Sequence, residues 1–384
     1  MSRAQRGPAP TRGRGVAPSL TAGAARNPRD IAPPTPRLPA PRLPAGMRDY
    51  APQAAAVRLR TLESLLGVFG RAGFARVITP AFEYEEVLAL GLGDAARAAT
   101  VRFVEPSSGQ VVALRPDITP QIARLIATRF RDEPGPVRLC YEGTVVRLER
   151  AAHGQRELSQ AGVELAGLPG PTGDAEVIAL AVDALSAVGL RRPTIDLGHL
   201  GLAREVLSAL ALGGPEQEEA RRCIAKRDRA GLDGVLRLSR GARPAIEFAR
   251  RLPELSGSPA VLVGAQKQAP NAGVRRTLAE LAAIVAAIEA RGVEARLHVD
   301  LGEVRGFDYY TGVCFQAFVE GAPDAVLRGG RYDDLLARYG RPSPAVGFAV
   351  DVEGVIGAIE LQADLASRGG GRIGSIGSIG KTRR

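Results

Sequence analysis

Apolar positions along the middle of the chain recur in two rhythms. A helical spacing runs through "PQAAAVRLRTLESLLGVFGR" and predicts a helix over 52–71, ended by the Gly70/Gly73 region. The same spacing makes "ITPQIARLIATRF" an amphipathic helix and predicts others over 175–188, 202–212, 215–230, 243–252 and 274–291. A strand rhythm marks "ARVITPAFEY", interrupted by Pro80, and "VRFVEPSSGQVVALRPD", a hairpin turning at 106–109. "VRLCYEGTVVRLER" and "RELSQAGVELAG" follow as two strands joined by a polar loop around 153–155; "PTIDLGH" and 293–301 are further strands. "VRGFDYYTGVCFQAFVEG" reads as a hairpin, followed by the Gly-rich "LRGGRYDDLL". Because strands come in adjacent pairs rather than in strict strand–helix alternation, the expected class is α+β, an antiparallel sheet flanked by helices. The helical run at about 201–256 is expected as an insertion in that core.

"VGFAVDVEGVI" (346–356) changes rhythm within itself. "VGFAV" is a buried strand, and from Asp351 onward Val352, Val355, Ile356 and Ile359 give a helical apolar face. A strand entering a helix N-terminus presents free N–H groups and positive dipole, which suits an anion. Yet Asp351, Glu353 and Gly354 occupy the positions that face such a ligand, and none is a cation.

Charge divides the chain. Of the net +10, residues 1–45 carry +7 and residues 366–384 carry +5, so 46–365 is left at about −2. The first 45 residues also hold ten of the 28 prolines, so 1–42 is expected as a disordered basic tail, 43–365 as the folded core, and 366–384 as a flexible Gly/Ser-rich end. A core of that charge lacks the broad basic face that tRNA binding needs. No segment is apolar for long enough to span a membrane, so no membrane partner is expected. Cys140, Cys223 and Cys314 lie far apart, as do His153, His199 and His298. That spacing predicts no metal site, and three sparse thiols suit a reducing cytoplasm.

Four polar clusters fall on predicted strands or strand ends: Arg115, Asp117 and Thr119 in "LRPDIT"; Arg147, Glu149 and Arg150 in "RLER"; Gln160, Gly162 and Glu164, on one face at period two; and Arg305, Asp308, Tyr309 and Tyr310 in "RGFDYYTG". An amino-acid pocket needs carboxylates or amides for an ammonium and a guanidinium for a carboxylate. The clusters hold those parts, although each alone reads equally as cross-strand ion pairs on an exposed sheet.

Taken in order, these segments resemble the catalytic core of class II aminoacyl-tRNA synthetases, specifically the histidyl enzyme, over roughly residues 43–363. "GFARVITPAFEY" is similar to motif 1 of that class, which implies a dimer boundary at Pro80. "YEGTVVRLERAAHGQRELSQAGVELAG" is similar to motif 2, with Arg147 at the arginine that touches the α-phosphate and the substrate carboxylate. The resemblance further implies a histidine site in which Asp117 (where the synthetase has Glu), Ile118, Thr119 and Gln160 meet the ammonium. Arg305 would face the carboxylate, and Glu164, Tyr309 and Tyr310 the imidazole. Motif 3, which "VGFAVDVEGVI" resembles, carries an arginine for the γ-phosphate where this chain has Gly354, and no anticodon-binding domain is expected after it. Those departures resemble the synthetase-like regulatory subunits of ATP phosphoribosyltransferase. That implies no catalytic residue, no cofactor and no metal of its own. It also implies a homodimer within a hetero-oligomer with the short catalytic subunit, and L-histidine as feedback ligand. The alternatives are a truncated, ATP-dependent histidine-activating enzyme and a plain amino-acid-binding module.

Overall fold

The computed structural model describes residues 42–148, 151, 154–306 and 309–369. The expected tails therefore lie outside the described residues, save that the last helix runs to Gly369. From Pro44 onward the chain forms one unit. Its first helix, α1 (Pro52–Arg71), has Pro52 in the first turn, where no N–H is needed, and buries Thr61, Leu65, Val68 and Phe69 along one stripe. It stops where Gly73 turns into the left-handed region at φ 85°.

The segment expected as one strand across Pro80 is two strands in two sheets. β1 (Ala75–Val77) lies at the edge of the large sheet, and β2 (Phe82–Tyr84) belongs to a small one. Proline cannot donate to a ladder, and pairing breaks there. Helices α2 (Glu85–Ala89) and α3 (Asp94–Ala98) precede the predicted hairpin, which forms as β3 (Arg102–Val104) and β4 (Val111–Leu114) and completes the small sheet in the order β2-β4-β3. Helix α4 (Thr119–Arg129) leads to the ten-residue strands β5 (Val137–Val146) and β6 (Glu157–Ala166).

Helix α5 (Pro171–Ala187), apolar nearly all round, and β7 (Thr194–His199) follow. The expected helical insertion is α6 (Leu200–Ala209), α7 (Gly214–Ala225), α8 (Arg229–Leu236) and α9 (Arg243–Arg251). The single helix predicted over 215–230 divides at Asp228, which caps α8 by accepting from the Gly231 N–H. Then come β8 (Ser256–Gly257), α10 (Val261–Lys267), α11 (Ala272–Ala290) and β9 (Arg296–Asp300).

The hairpin expected within 304–321 does not form. Among the described residues only β10 (Val313–Phe318) is a strand there, and its hairpin partner is β11 (Leu327–Arg331), in the Gly-rich segment. The glycines of that segment are strand residues whose missing side chains admit others. The chain closes with α12 (Leu335–Arg338), β12 (Ala345–Asp351) and α13 (Val352–Gly369).

Among the described residues the large sheet has nine strands in the order β1-β5-β6-β12-β11-β10-β7-β9-β8. Its central run, β5 to β7, is antiparallel as the adjacent strand pairs predict, which makes this the α+β core expected. The pairs β1/β5 and β7/β9 are parallel, because long connections including helices return the chain in the same direction. One face presents Val163, Leu165, Val346, Phe348, Val350, Phe315, Ile195 and Leu197, all buried in one apolar core with residues of α1, α5 and α11. Period two places Gln160, Gly162 and Glu164 on the other face, and that face carries the site.

One ion pair crosses the apolar layer. Arg331 of β11, 3% exposed, gives its Nε and Nη2 to Asp174 Oδ1 of α5 at 2.8 and 2.7 Å, and Asp174 is fully buried. Removing Arg331 strands the fully buried Asp174, whereas removing Asp174 leaves Arg331 its second partner, Asp333 Oδ1 at 3.0 Å. Arg331→Met is expected to cost about 3–5 kcal/mol in urea unfolding, while adding Asp174→Leu recovers most of it.

Candidate functional site

Glu164 is the centre of the polar face. It lies directly opposite Gly347, Gly347 opposite Gly330, Gly330 opposite Cys314, and Cys314 opposite Gly198, so one row crosses five strands. A β-carbon on Gly347 would overlap the Glu164 carboxylate, and one on Gly330 would come within 2.7 Å of the Tyr310 ring. Gly347, Glu164 and Tyr310 line a cavity of about 440 Å³, and Gly330 leaves room for the Tyr310 ring. Gly162, next to Glu164 along β6, does the same for Tyr141, whose oxygen would stand 2.5 Å from a β-carbon there.

The Glu164 carboxyl is 2% exposed and held by two hydroxyls: Tyr332 donates to Oε2, and Tyr141 to Oε1 at 3.3 Å. Burial pushes its pKa up to about 8, against the pull of those hydrogen bonds and with a further push from nearby Asp117. Thr119 Oγ1 stands 3.4 Å from both the Tyr141 hydroxyl and Asp117 Oδ1, which links the acids through a hydroxyl chain. Asp117 precedes α4 and accepts from the Thr119 N–H at 3.2 Å, a favourable place for an anion at a helix start. Gln160 Oε1 accepts from the Ile118 N–H at 3.3 Å.

Tyr309 and Tyr310 form an edge-to-face pair at 5.0 Å, and Tyr309 meets Tyr332 at 5.4 Å. The Tyr309 hydroxyl is buried with no hydrogen-bond partner among the described residues. Arg204 of α6 steadies this segment by donating to the Tyr310 carbonyl at 2.6 Å. Arg147 also lines the cavity, its Nε fixed on the Pro116 carbonyl at 2.8 Å.

Asp117, Thr119, Arg147, Gln160, Glu164, Tyr309 and Tyr310 thus share one cavity. Two other residues assigned to the site by sequence do not line it. Ile118 is fully buried behind it and contributes its backbone alone. Arg305 is drawn aside by Glu303, a neighbour that period-two reasoning could not rank above a ligand. Arg115, from the first polar cluster, is a structural group: it donates to the Thr144 carbonyl at 2.7 Å and the Thr79 carbonyl at 2.9 Å. Glu149, Arg150, His153 and Asp308 lie outside the described residues. Sequence reasoning missed Tyr141 and Tyr332; the signal was present, since Tyr141 alternates onto the same face of β5 and Tyr332 follows two strand glycines.

At the far end of the cavity, α13 begins without a cation. Asp351 Oδ1 accepts from the Gly354 N–H at 3.0 Å, capping the helix. Glu353 accepts from the Tyr50 hydroxyl at 2.9 Å, Arg58 Nε at 3.0 Å and the Ser159 N–H at 2.7 Å, which ties α13 to α1 and β6. The acids that seemed to obstruct an anion seat are capping and clamping groups. Among the described residues no cluster of His, Cys, Asp and Glu is placed to hold a metal, and the three cysteines are free and buried.

The Histidyl-tRNA synthetase family model matches residues 46–355. The ATP phosphoribosyltransferase regulatory subunit of Syntrophotalea carbinolica is 42% identical over 86% of this chain and 77% of its own length; that of Anaeromyxobacter dehalogenans (strain 2CP-C) is 43% identical over 87% and 98%. The chain belongs to this regulatory-subunit family, on the histidyl-tRNA synthetase fold. Among solved structures, an ATP phosphoribosyltransferase regulatory subunit/histidyl-tRNA synthetase from Bacillus halodurans superposes with a TM-score of 0.75 at 26% identity, covering 85% of this chain and 90% of that one. A histidine–tRNA ligase subunit from Alicyclobacillus acidocaldarius gives 0.70 at 30% identity, over 85% and 99%. The family match ends at Val355, the fourth residue of α13.

The buried Glu164 makes stability depend on pH. Its folded pKa of about 8 lies above the ordinary 4.5, so the folded state holds a proton that the unfolded state releases between those values. Stability contributed by the protonated carboxyl is complete below about 4.5 and is lost as pH rises through 8. Glu164→Gln, which mimics the protonated form, is expected to melt close to the wild type at pH 5 and clearly above it at pH 9.

Proposed function

We propose that this chain acts as the regulatory subunit of ATP phosphoribosyltransferase, has no aminoacyl-activating activity of its own, and binds L-histidine in the cavity around Glu164. The single observation that carries the pocket reading is the Glu164 carboxyl set between two tyrosine hydroxyls, in a cavity that also holds Asp117, Gln160 and Arg147. An imidazole offers two ring nitrogens, and a site that hydrogen-bonds both rejects apolar analogues, which leave its polar groups unpaired. Glu164 answers one nitrogen and Tyr310 the other; Asp117, Thr119 and Gln160 take the ammonium, and Arg147 with Arg305 the carboxylate. The partner is the short catalytic subunit. A second copy of this chain docks along the segment around Pro80, where Ile78 is 80% exposed and Phe82 and Phe103 pack edge to face at the surface.

A regulatory rather than a ligase role is supported by the start of α13. An arginine on the γ-phosphate is worth about 1.5–3 kcal/mol per charge-assisted contact. Here the corresponding position is Gly354, with Asp351 beside it. The test is direct. Added to isolated short catalytic subunit, the purified chain is expected to raise phosphoribosyl transfer, and histidine to lower it again, while the chain alone gives no histidine-dependent pyrophosphate exchange from ATP. Robust exchange by the chain alone would overturn the assignment in favour of an ATP-dependent histidine-activating enzyme.

Calorimetry checks the pocket. Glu164→Leu and Tyr310→Phe are each expected to weaken histidine by about 1–3 kcal/mol, with assembly on the catalytic subunit intact. Equal affinity in all three proteins means that histidine is sensed elsewhere.

A further inference from the structure

Arg305 is occupied. Its Nε lies 3.0 and 2.9 Å from the two carboxylate oxygens of Glu303, its Nη2 reaches Oε2 as well, and its backbone N–H donates to Oε1 at 2.7 Å. The two residues differ in setting. Glu303 is 7% exposed, pressed onto Gly198, where a β-carbon would stand 2.5 Å from its own; the Arg305 side chain is 60% exposed. The carboxylate is built in, and the guanidinium is free to leave.

The place of this pair along the strand row matters. Glu164 sits over Gly347, Tyr310 over Gly330 and Glu303 over Gly198, so the Glu303 seat is two strands, about 10 Å, beyond the Tyr310 seat. Gly306, at φ 73°, would bring a β-carbon within 2.7 Å of the Tyr310 ring. Arg305 is therefore anchored immediately beside the ring that walls the cavity. The nearby acids have other partners: His298 Nδ1 lies 2.8 Å from Asp196, and Arg227 2.7 Å from Asp300. Glu303 is the acid that Arg305 serves.

We propose that Glu303 is an internal competitor for Arg305, a carboxylate that occupies the guanidinium until the carboxylate of a bound amino acid replaces it, and that this exchange sets the concentration at which the cavity fills. The proposal rests on the histidine-pocket reading above. Swapping one bidentate carboxylate for another returns much less free energy than pairing a free guanidinium. After the swap Glu303 keeps the Arg305 N–H as donor, so its burial without the guanidinium is tolerated. A regulatory site gains from this, because an internal competitor raises the concentration at which the site is half filled without changing the shape of its response.

The experiment titrates the full chain by calorimetry with L-histidine and with L-histidinol, the analogue that lacks the carboxylate. Glu303→Gln is expected to tighten histidine at least tenfold and leave histidinol unchanged, while Arg305→Gln brings the two ligands to nearly equal affinity. Glu303→Asp, which withdraws the carboxylate by one methylene and keeps its charge, is expected to tighten histidine to a smaller extent and serves if the amide variant does not fold. If the Glu303 variants change nothing while Arg305→Gln still equalises the ligands, competition is refuted and the pocket reading stands. If Arg305→Gln leaves the preference for histidine untouched, Arg305 does not meet the carboxylate and the proposal falls. If no protein binds either ligand, the pocket reading itself falls.

Discussion

The site depends on clearance along one row of a sheet. Antiparallel neighbours put their side chains on the same face about 5 Å apart, too close for a glutamate and a tyrosine to fold over the strands beside them unless those strands carry no side chain. Gly347, Gly330 and Gly198 meet that need in succession under Glu164, Tyr310 and Glu303. Any larger residue at Gly347 would drive the Glu164 carboxyl out of its place between the Tyr141 and Tyr332 hydroxyls. The two glycines of the strand Leu327–Arg331 serve opposite faces: Gly330 makes room for Tyr310, and Gly329 for Phe315 and Phe348 of the apolar core.

Clearance has an electrostatic consequence. A carboxyl laid flat against the sheet and roofed by tyrosines loses its water, and two hydroxyls do not compensate for that loss. Glu164 consequently holds its proton to about pH 8. A ligand that brings a ring nitrogen to that carboxyl supplies the missing partner, so occupation and ionisation are linked. The other acids of the face have solved the same problem differently, by pairing: Asp196 with His298, Asp300 with Arg227 and Glu303 with Arg305.

The start of the last helix shows how one architecture serves a different end. The strand-to-helix junction still presents N–H groups, but Asp351 caps one and Glu353 has become a bolt between three elements, bonded to Tyr50, Arg58 and Ser159. Two acidic residues that would repel a polyphosphate are satisfied by the protein itself. The start of this helix thereby fastens α1 to the sheet.

Local chemistry was legible without coordinates. The period-two spacing of Gln160, Gly162 and Glu164 was enough to place them on one face, the helical stripe of 52–71 to bound α1, and Pro80 to mark an interruption, because each reports a constraint that acts within a few residues. The α+β class followed from the order of strands and helices for the same reason. What tertiary structure decided were the partnerships between distant positions. Tyr332 reaches Glu164 across 168 residues, Asp174 meets Arg331 across 157, and the strand partner of Val313–Phe318 is the glycine segment rather than the residues before it. The pairing of Arg305 with Glu303, only two residues away, also went unread, since a sequence shows that a guanidinium and a carboxylate are near each other but not which of several acids is buried enough to hold it. Strand register and desolvation make that choice, and both exist only once the sheet has closed.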